Sequence, residues 1–249
     1  MDIRLADYDR ILINTSAGKD SQTMMRVVVD QARAEGVADR LVAVHADLGR
    51  VEWAGTRELA ETQAGHYGLR FLAVSRPQGD LLDQVAERGM WPSSTARYCT
   101  SDHKRGQIRK VMTALVKELV LDRPVRILNC MGLRAEESSA RAKKVPVRYD
   151  APASGKGTVR QVWEWLPILH WTEAQVWADI RNHDVPYHPA YDLGMPRLSC
   201  CFCVLASKPA LTIAARHNPE LALQYLDVEV RIGHRFKNDL SMAEIVAAA

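Results

Sequence analysis

No stretch of this 249-residue chain is apolar for the length that a membrane span needs, and Met1-Asp-Ile-Arg-Leu-Ala-Asp7 has no apolar region of the kind found in a signal peptide. The expectation is a cytoplasmic protein with no membrane partner, in which the 5 cysteines serve as thiols or metal ligands rather than disulfides. Nor is there a large excess of one charge. A net charge of +3 is too small to argue for nucleic-acid binding by itself, so what counts is where the charge sits. Charged residues at 25% and hydrophobics at 47% lie near the globular average, which excludes a largely disordered chain. The length suits one large α/β domain with an extension or a small second lobe. The usual phosphate loop, G-x-x-x-x-G-K-[ST], is also missing: Gly18-Lys19 is followed by Asp20, and no glycine stands five residues before Gly18.

What is present is Arg10-Ile-Leu-Ile-Asn-Thr-Ser16-Ala-Gly-Lys-Asp-Ser21, a β-branched apolar run that breaks into a small polar loop and then a helix. Ile11, Leu12 and Ile13 suit a buried parallel strand, and Ser21 is expected to cap a helix carrying Met24, Val27 and Val28. Such a loop aims backbone N–H groups and the positive end of a helix dipole at one spot, which suits a phosphate. Ser16, Gly18, Asp20 and Ser21 resemble the S-x-G-x-D-S signature of the PP-loop ATP pyrophosphatases. The resemblance implies that the loop holds ATP while the bond between its α and β phosphates is broken. Ser16, Lys19 and Asp20 would take part in that step, and Ser16, Gly18, Asp20 and Ser21 would bind the nucleotide.

A second strand, Leu41 to His45, runs into Ala46-Asp47-Leu48-Gly49-Arg50-Val51-Glu52-Trp53. A carboxylate just past a strand end lies where open α/β sheets bind ligands, so Asp47 reads as a contact to ribose, metal or substrate, or else as a helix cap. A helix over Thr56 to Tyr67 and a third strand over Leu69 to Val74 follow, and the alternation argues for a parallel sheet. The segment H-A-D-L-G-R-x-E-W resembles the PAPS reductase branch of the same superfamily. So does Arg97-Tyr98-Cys99-Thr100-Ser-Asp-His-Lys104, in which the resemblance places Arg97 and Lys104 near the nucleotide or substrate. Without it, both would read as solvated surface charges.

A fourth strand, Val125 to Met131, feeds Gly132-Leu-Arg134-Ala-Glu136-Glu137-Ser138-Ser139-Ala-Arg141, which has the spacing of the family's G-x-R-x-x-E-S-x-x-R. Two arginines flanking a carboxylate at a strand end suit a phosphate or sulfate, with Arg134 and Glu137 in catalytic roles and Arg141 binding; a salt-bridge ladder on a helix is the other reading. Between Arg141 and Arg160, Lys143, Lys144, Arg148 and Lys156 alternate with prolines and glycines, and no apolar period is evident. The stretch is expected to be a mobile basic flap that closes over ATP or meets DNA, or simply a solvated loop. Thr172 and Gln175 form a capping box ahead of Val176, Trp177 and Ile180, in a P-I-x-x-W-T segment that resembles the same branch.

Cys200 and Cys203 form a C-x-x-C, a spacing that lets two thiolates converge on a metal or cluster iron, or form a redox pair. Cys130 sits inside an apolar strand and reads as core. Cys99, Cys200 and Cys203 would suit a [4Fe–4S] cluster, with Cys201 a spare or a fourth ligand. Superfamily relatives hold such clusters. The chain departs from the APS reductase pattern in having Tyr98 before Cys99, and it lacks the E-C-G-x-H tail of sulfonucleotide reductases.

The expected architecture is a mostly parallel α/β sheet of five or six strands, of the adenine nucleotide α-hydrolase type. It forms a catalytic domain over residues 1–206, followed by a helical extension over 207–249. The resemblance implies an ATP pyrophosphatase that uses ATP and Mg²⁺ to activate an acceptor for sulfur. DNA phosphorothioation, fed by a cysteine desulfurase or another sulfur donor, is the nearest functional match. A PAPS or APS reductase and a nucleotide-sensing Fe–S scaffold are the alternatives.

Overall fold

The computed structural model describes residues 3–249. Its sheet has six strands in the order β3-β2-β1-β4-β6-β5, formed by β1 (Arg10–Thr15), β2 (Leu41–Ala46), β3 (Arg70–Val74), β4 (Val125–Met131), β5 (Val147–Tyr149) and β6 (Arg160–Trp165). All neighbours are parallel except β5, which runs antiparallel to β6 at one edge. The mostly parallel α/β architecture expected from the sequence is thus the observed one.

The strands read as apolar runs because helices cover both faces, and alternate residues serve opposite layers. Ile11, Ile13, Leu128 and Cys130 pack with Met24, Val28 and Ala32 of helix Lys19–Ala34 and with Val176 and Ile180 of helix Glu173–His183. Leu12, Val44 and Ile127 instead pack with Ile108, Met112 and Leu115 of helix Gly106–Lys117. The Thr172–Gln175 capping box forms as expected, while Trp177 is only half-buried and meets Tyr187 edge-on.

The order reverses direction between β1 and β4, so the crevice beyond their carboxyl ends is the topological switch point where open α/β sheets take ligands. The loop at Ser16 leaves β1 there, and the Gly132–Arg134 segment leaves β4 beside it.

The basic flap is a correction. Residues 141–160 hold β5 and a short helix, Ala151–Ser154, and Arg148 is fixed to the buried Glu164 of β6 by two hydrogen bonds of 2.9 and 2.7 Å. Lys144 lies 3.7 Å from the same carboxylate. Three residues of edge strand are too few to establish a visible period, and one buried acid turns two apparent surface cations into structural partners.

By compactness the chain forms two units: residues 1–46, 57–74 and 108–188, and residues 47–56, 75–107 and 189–249. This division differs from a cut at 206/207. The terminal helices Lys208–His217, Pro219–Ile232 and Met242–Ala247 share one apolar core with Trp53, Leu82, Trp91, Tyr98 and Phe202.

Candidate functional site

The phosphate loop is built by a backbone reversal. Ala17 adopts φ +56°, a left-handed conformation, and Gly18 (φ −80°, ψ 157°) then takes the N-cap position of helix Lys19–Ala34. Ser21 therefore does not cap the helix, as the sequence suggested. It lies inside the first turn, where its hydroxyl donates to the Gly18 carbonyl at 2.9 Å and accepts from the Ser16 amide at 3.2 Å. Glycine supplies the extended cap one turn earlier, and the serine braces the loop from within. The first-turn amides of this helix and its dipole face the switch point, an arrangement suited to anionic oxygens.

Three charged residues hold that turn. Arg134, only 3% exposed, donates from Nε to Asp20 at 2.6 Å and from Nη1 to Glu136 at 2.7 Å. Lys19, 2% exposed, places Nζ 3.3 Å from Glu173. Glu173 also lies 3.9 Å from Arg134, so one carboxylate at the start of a distant helix joins both cations. The sequence reading missed Glu173. Its only signal is its position directly after the Thr172 cap, and its partners lie far away in the chain.

Gly132 brings β4 against this turn. A Cβ there would stand 2.6 Å from the Asp20 carbonyl oxygen and 2.8 Å from the Ser21 nitrogen, so only glycine permits this approach. The two readings of the arginine motif both hold in part. Arg134 reaches the phosphate loop, whereas Glu137 accepts from the Arg134 amide at 2.9 Å and pairs with Arg141 four residues on, as in a helix ladder. Asn14 of β1 ties the strands together, donating to Asn129 Oδ1 at 2.7 Å and to the Cys130 carbonyl at 2.8 Å.

In the second unit, Asp47 accepts from the Gly49 amide at 2.8 Å, which fixes the turn after β2 but caps no helix; the next short helix, Gly49–Val51, has no side-chain cap. Arg97 and Lys104 are exposed, at either end of an irregular helical segment: Tyr98–Thr100, then a π-turn over Ser101–Arg105. That turn is held from inside. Gln84 donates to Asp102 and meets buried His103, each at 2.8 Å, while Ser101 donates to Asp102 at 2.6 Å.

Cys99, Cys200 and Cys203 belong to this unit and are half-buried, with Cys99 and Cys200 packed against its apolar core. Burial pushes the Cys200 thiol up to about 12; the Lys104 ammonium opposes that rise, and the Cys203 and Cys99 sulfurs add to it. A buried thiol gains most from a bound cation, and three cysteines are the donor set that an iron–sulfur centre takes, so the donor chemistry fits one. Among the described residues, no three of these sulfurs lie within 4.8 Å of one another. A single tetrahedral zinc, with Zn–S near ~2.3 Å, would need them closer. Cys201 is buried in the apolar core, its amide donating to the Val51 carbonyl at 2.9 Å. Cys130 is a core residue of β4, as expected.

Residues 10–206 match the family model described as the phosphoadenosine phosphosulfate reductase domain. The chain is 28% identical over 204 residues to the adenosine 5'-phosphosulfate reductase of Allochromatium vinosum, a match covering 80% of this chain and 70% of the relative. It is 30% identical over 205 residues to an uncharacterized 37.8 kDa protein of Escherichia phage 186, covering 80% of this chain but 57% of that one. Among solved structures, the phosphate complex of phosphoadenylyl-sulfate reductase from Candida auris gives a TM-score of 0.51 at 16% identity, covering 79% of this chain and 83% of that one. FMN adenylyltransferase from Candida glabrata, in complex with FAD and inorganic pyrophosphate, gives 0.51 at 14% identity, covering 77% and 54%. At such identities the structural likeness speaks for the fold alone. Among the described residues, no helix is long and apolar enough to cross a membrane.

Proposed function

Since the chain belongs to the phosphoadenosine phosphosulfate reductase domain family, a family of enzymes, we propose that it is an ATP pyrophosphatase that activates an acceptor for sulfur incorporation. The observation that carries this reading is the phosphate loop: a left-handed Ala17, a glycine cap and a first helical turn braced by Arg134 through Asp20. In this reading the amides from Gly18 to Ser21 hold phosphate oxygens, and Lys19 and Arg134 offset the charge that develops as the leaving group departs. Glu173, which both cations approach, keeps them in place before the nucleotide arrives. Bound Mg²⁺ would supply further charge neutralisation at the phosphates.

An acceptor oxygen attacks the α-phosphorus, the bond to the β-phosphate oxygen breaks, and pyrophosphate leaves. A sulfur nucleophile then displaces AMP, which carries away the original acceptor oxygen. The acceptor that suits this exchange is a phosphodiester of DNA, with a cysteine desulfurase or similar protein as the sulfur source and a thiol reductant to bring its persulfide sulfur to the sulfide level. Cys99, Cys200 and Cys203 would hold the iron–sulfur centre, which when bound supplies a Lewis-acidic iron and a sulfur-handling surface. The test is the product of labelled ATP in the presence of acceptor. AMP and pyrophosphate are expected; ADP with phosphate would overturn the assignment.

One observation favours a second reading, a sulfonucleotide reductase: the adenosine 5'-phosphosulfate reductase relative covers most of the chain. Release of sulfite from adenosine 5'-phosphosulfate or its 3'-phosphorylated form, with no turnover of ATP, would establish it instead.

A further inference from the structure

Two buried donors in the second unit have nothing to donate to. The hydroxyl of Tyr225 and the indole nitrogen of Trp53 are fully buried and make no hydrogen bond, although their residues are only 1% and 5% exposed. The other polar tips of the same aromatic core are satisfied: Trp91 donates to the His234 carbonyl at 2.9 Å, and Tyr98 donates to the Met90 carbonyl at 2.7 Å. Loose packing is therefore a poor explanation for the two exceptions. The sheet unit also has unpartnered side-chain atoms, Thr23 Oγ1 and Gln63 Oε1, but these lie outside the core against which Cys99 and Cys200 pack.

Tyr225 and the Val51–Trp53 segment both meet the same stretch. The Tyr225 ring lies 4.9 Å from that of Phe202, inside the Cys200–Cys203 segment, and stacks on Trp91 at 5.3 Å. Trp53 follows Val51, whose carbonyl accepts from Cys201. Both belong to the core against which Cys99 and Cys200 pack. An indole N–H can only donate, and a buried phenol without an acceptor carries an uncompensated desolvation cost. Neutral thiols are weak acceptors. Thiolates and bridging sulfides are strong ones, and they are what an assembled centre would present.

We propose that Tyr225 and Trp53 are positioning residues for the iron–sulfur centre held by Cys99, Cys200 and Cys203, their O–H and N–H donating to its sulfur atoms once it is assembled. The proposal rests on the cysteine-centre reading above. It gives the C-terminal helix Pro219–Ile232 a role in the site, and it predicts that the loaded and metal-free proteins respond oppositely to loss of the donor.

The experiment uses the full chain, purified anaerobically, as wild type, Tyr225→Phe and Trp53→Phe. Each is studied with its iron and after chelation. Iron content of the wild type is scored first: a wild type that takes up no iron overturns the cysteine-centre reading and this proposal with it. With iron present, Tyr225→Phe should melt no lower than wild type when chelated, because an unsatisfied hydroxyl has been removed, yet lower than wild type when loaded. Its reduction potential should move negative, since a donor to sulfur favours the more negatively charged reduced form. Fe–S stretching bands should shift, and Trp53→Phe should move the potential and the bands in the same directions, its melting being lowered in both forms by the cavity that the smaller ring leaves. Equal melting shifts in both forms with an unchanged potential would make the two residues merely structural, and would overturn the proposal while leaving the centre itself intact.

Discussion

The surroundings of the phosphate loop and those of the cysteines treat buried polarity in opposite ways. Around the phosphate loop each charge that leaves solvent meets a fixed opposite charge: Arg134 with Asp20 and Glu136, Lys19 with Glu173. In the cysteine-bearing unit, half-buried thiols lie in a core that also holds two donors with no acceptor. The first arrangement is organised before any ligand binds, which is what the proposed chemistry at phosphorus would require. The second completes its hydrogen bonds only when sulfur carries charge. On the functions proposed above, anion binding and metal binding would thus rest on different physical routes.

The most damaging way to break the first arrangement is Asp20→Ala. It leaves the Arg134 guanidinium, 3% exposed, with one carboxylate partner fewer. Removing one member of a buried pair costs about 3 kcal/mol or more, and Glu136 keeps this case at the low end. Urea unfolding should show that loss. A double-mutant cycle with Arg134→Met should return a large part of it, because the uncompensated charge is then gone. An additive cycle would mean that the pair does not act as a unit.

Next in size is Gly132→Ala. The added methyl would meet backbone rather than a flexible side chain, at 2.6 Å from the Asp20 carbonyl oxygen, so strand and first turn must move apart. Overpacking of this kind costs about 1–3 kcal/mol. ATP affinity should fall further than stability alone explains, because the displaced atoms are those of the loop. Nucleotide titration of the folded variant checks this, and unchanged affinity would separate the arginine segment from the phosphate site.

These two positions also show what the sequence made legible. β1 to β4 could be read because a strand covered on both faces is a near-continuous apolar run, and each is bounded by turn residues. The loop at Ser16 was legible as a motif, but its bracing was not. Asp20 and Arg134 are 114 positions apart, and only the topological switch between β1 and β4 brings them to 2.6 Å. The ladder spacing of Glu137 and Arg141 is local and was visible; Glu173, reached through another helix, was not. The flap failed for a third reason. β5 has three residues, and the feature that orders it, the acid Glu164, lies on β6, beyond the stretch that carries the basic residues.

The corrected flap sharpens the DNA prediction. Arg148 and Lys144 are engaged by Glu164, whereas Lys143 and Lys156 are exposed and form no ion pair among the described residues. If this edge meets a nucleic-acid backbone, removing Lys143 or Lys156 should flatten the log–log salt dependence by roughly 0.7–0.9 each. Arg148→Ala should chiefly lower stability and leave the slope nearly unchanged. Fluorescence titration of single- and double-stranded DNA across a salt series tests both statements, and equal slope changes at all four positions would restore the mobile flap.

The smallest effect concerns acid stability in the cysteine-bearing unit. His103 is buried against Gln84, and desolvation, helped by the nearby Arg76 charge, holds its imidazolium below the usual histidine range despite the opposing pull of Asp102 and Asp80. A histidine whose folded pKa is depressed binds its proton more readily when unfolded. Stability from its neutral form is therefore fully present above about pH 6.5, the unfolded value, and declines as pH falls from there through the folded pKa. Asp102, held low mainly by the Ser101 and Gln84 hydrogen bonds, adds a second decline only below the ordinary carboxylate range, as pH falls through its own folded pKa. His103→Gln keeps a polar partner for Gln84 and removes the first decline. Melting temperature followed between pH 7.5 and 5 should slope less in this variant than in wild type, with the two curves parallel above pH 7. Parallel curves throughout would show that His103 does not set the acid response, and that the π-turn carrying Lys104 is held by Asp102 alone.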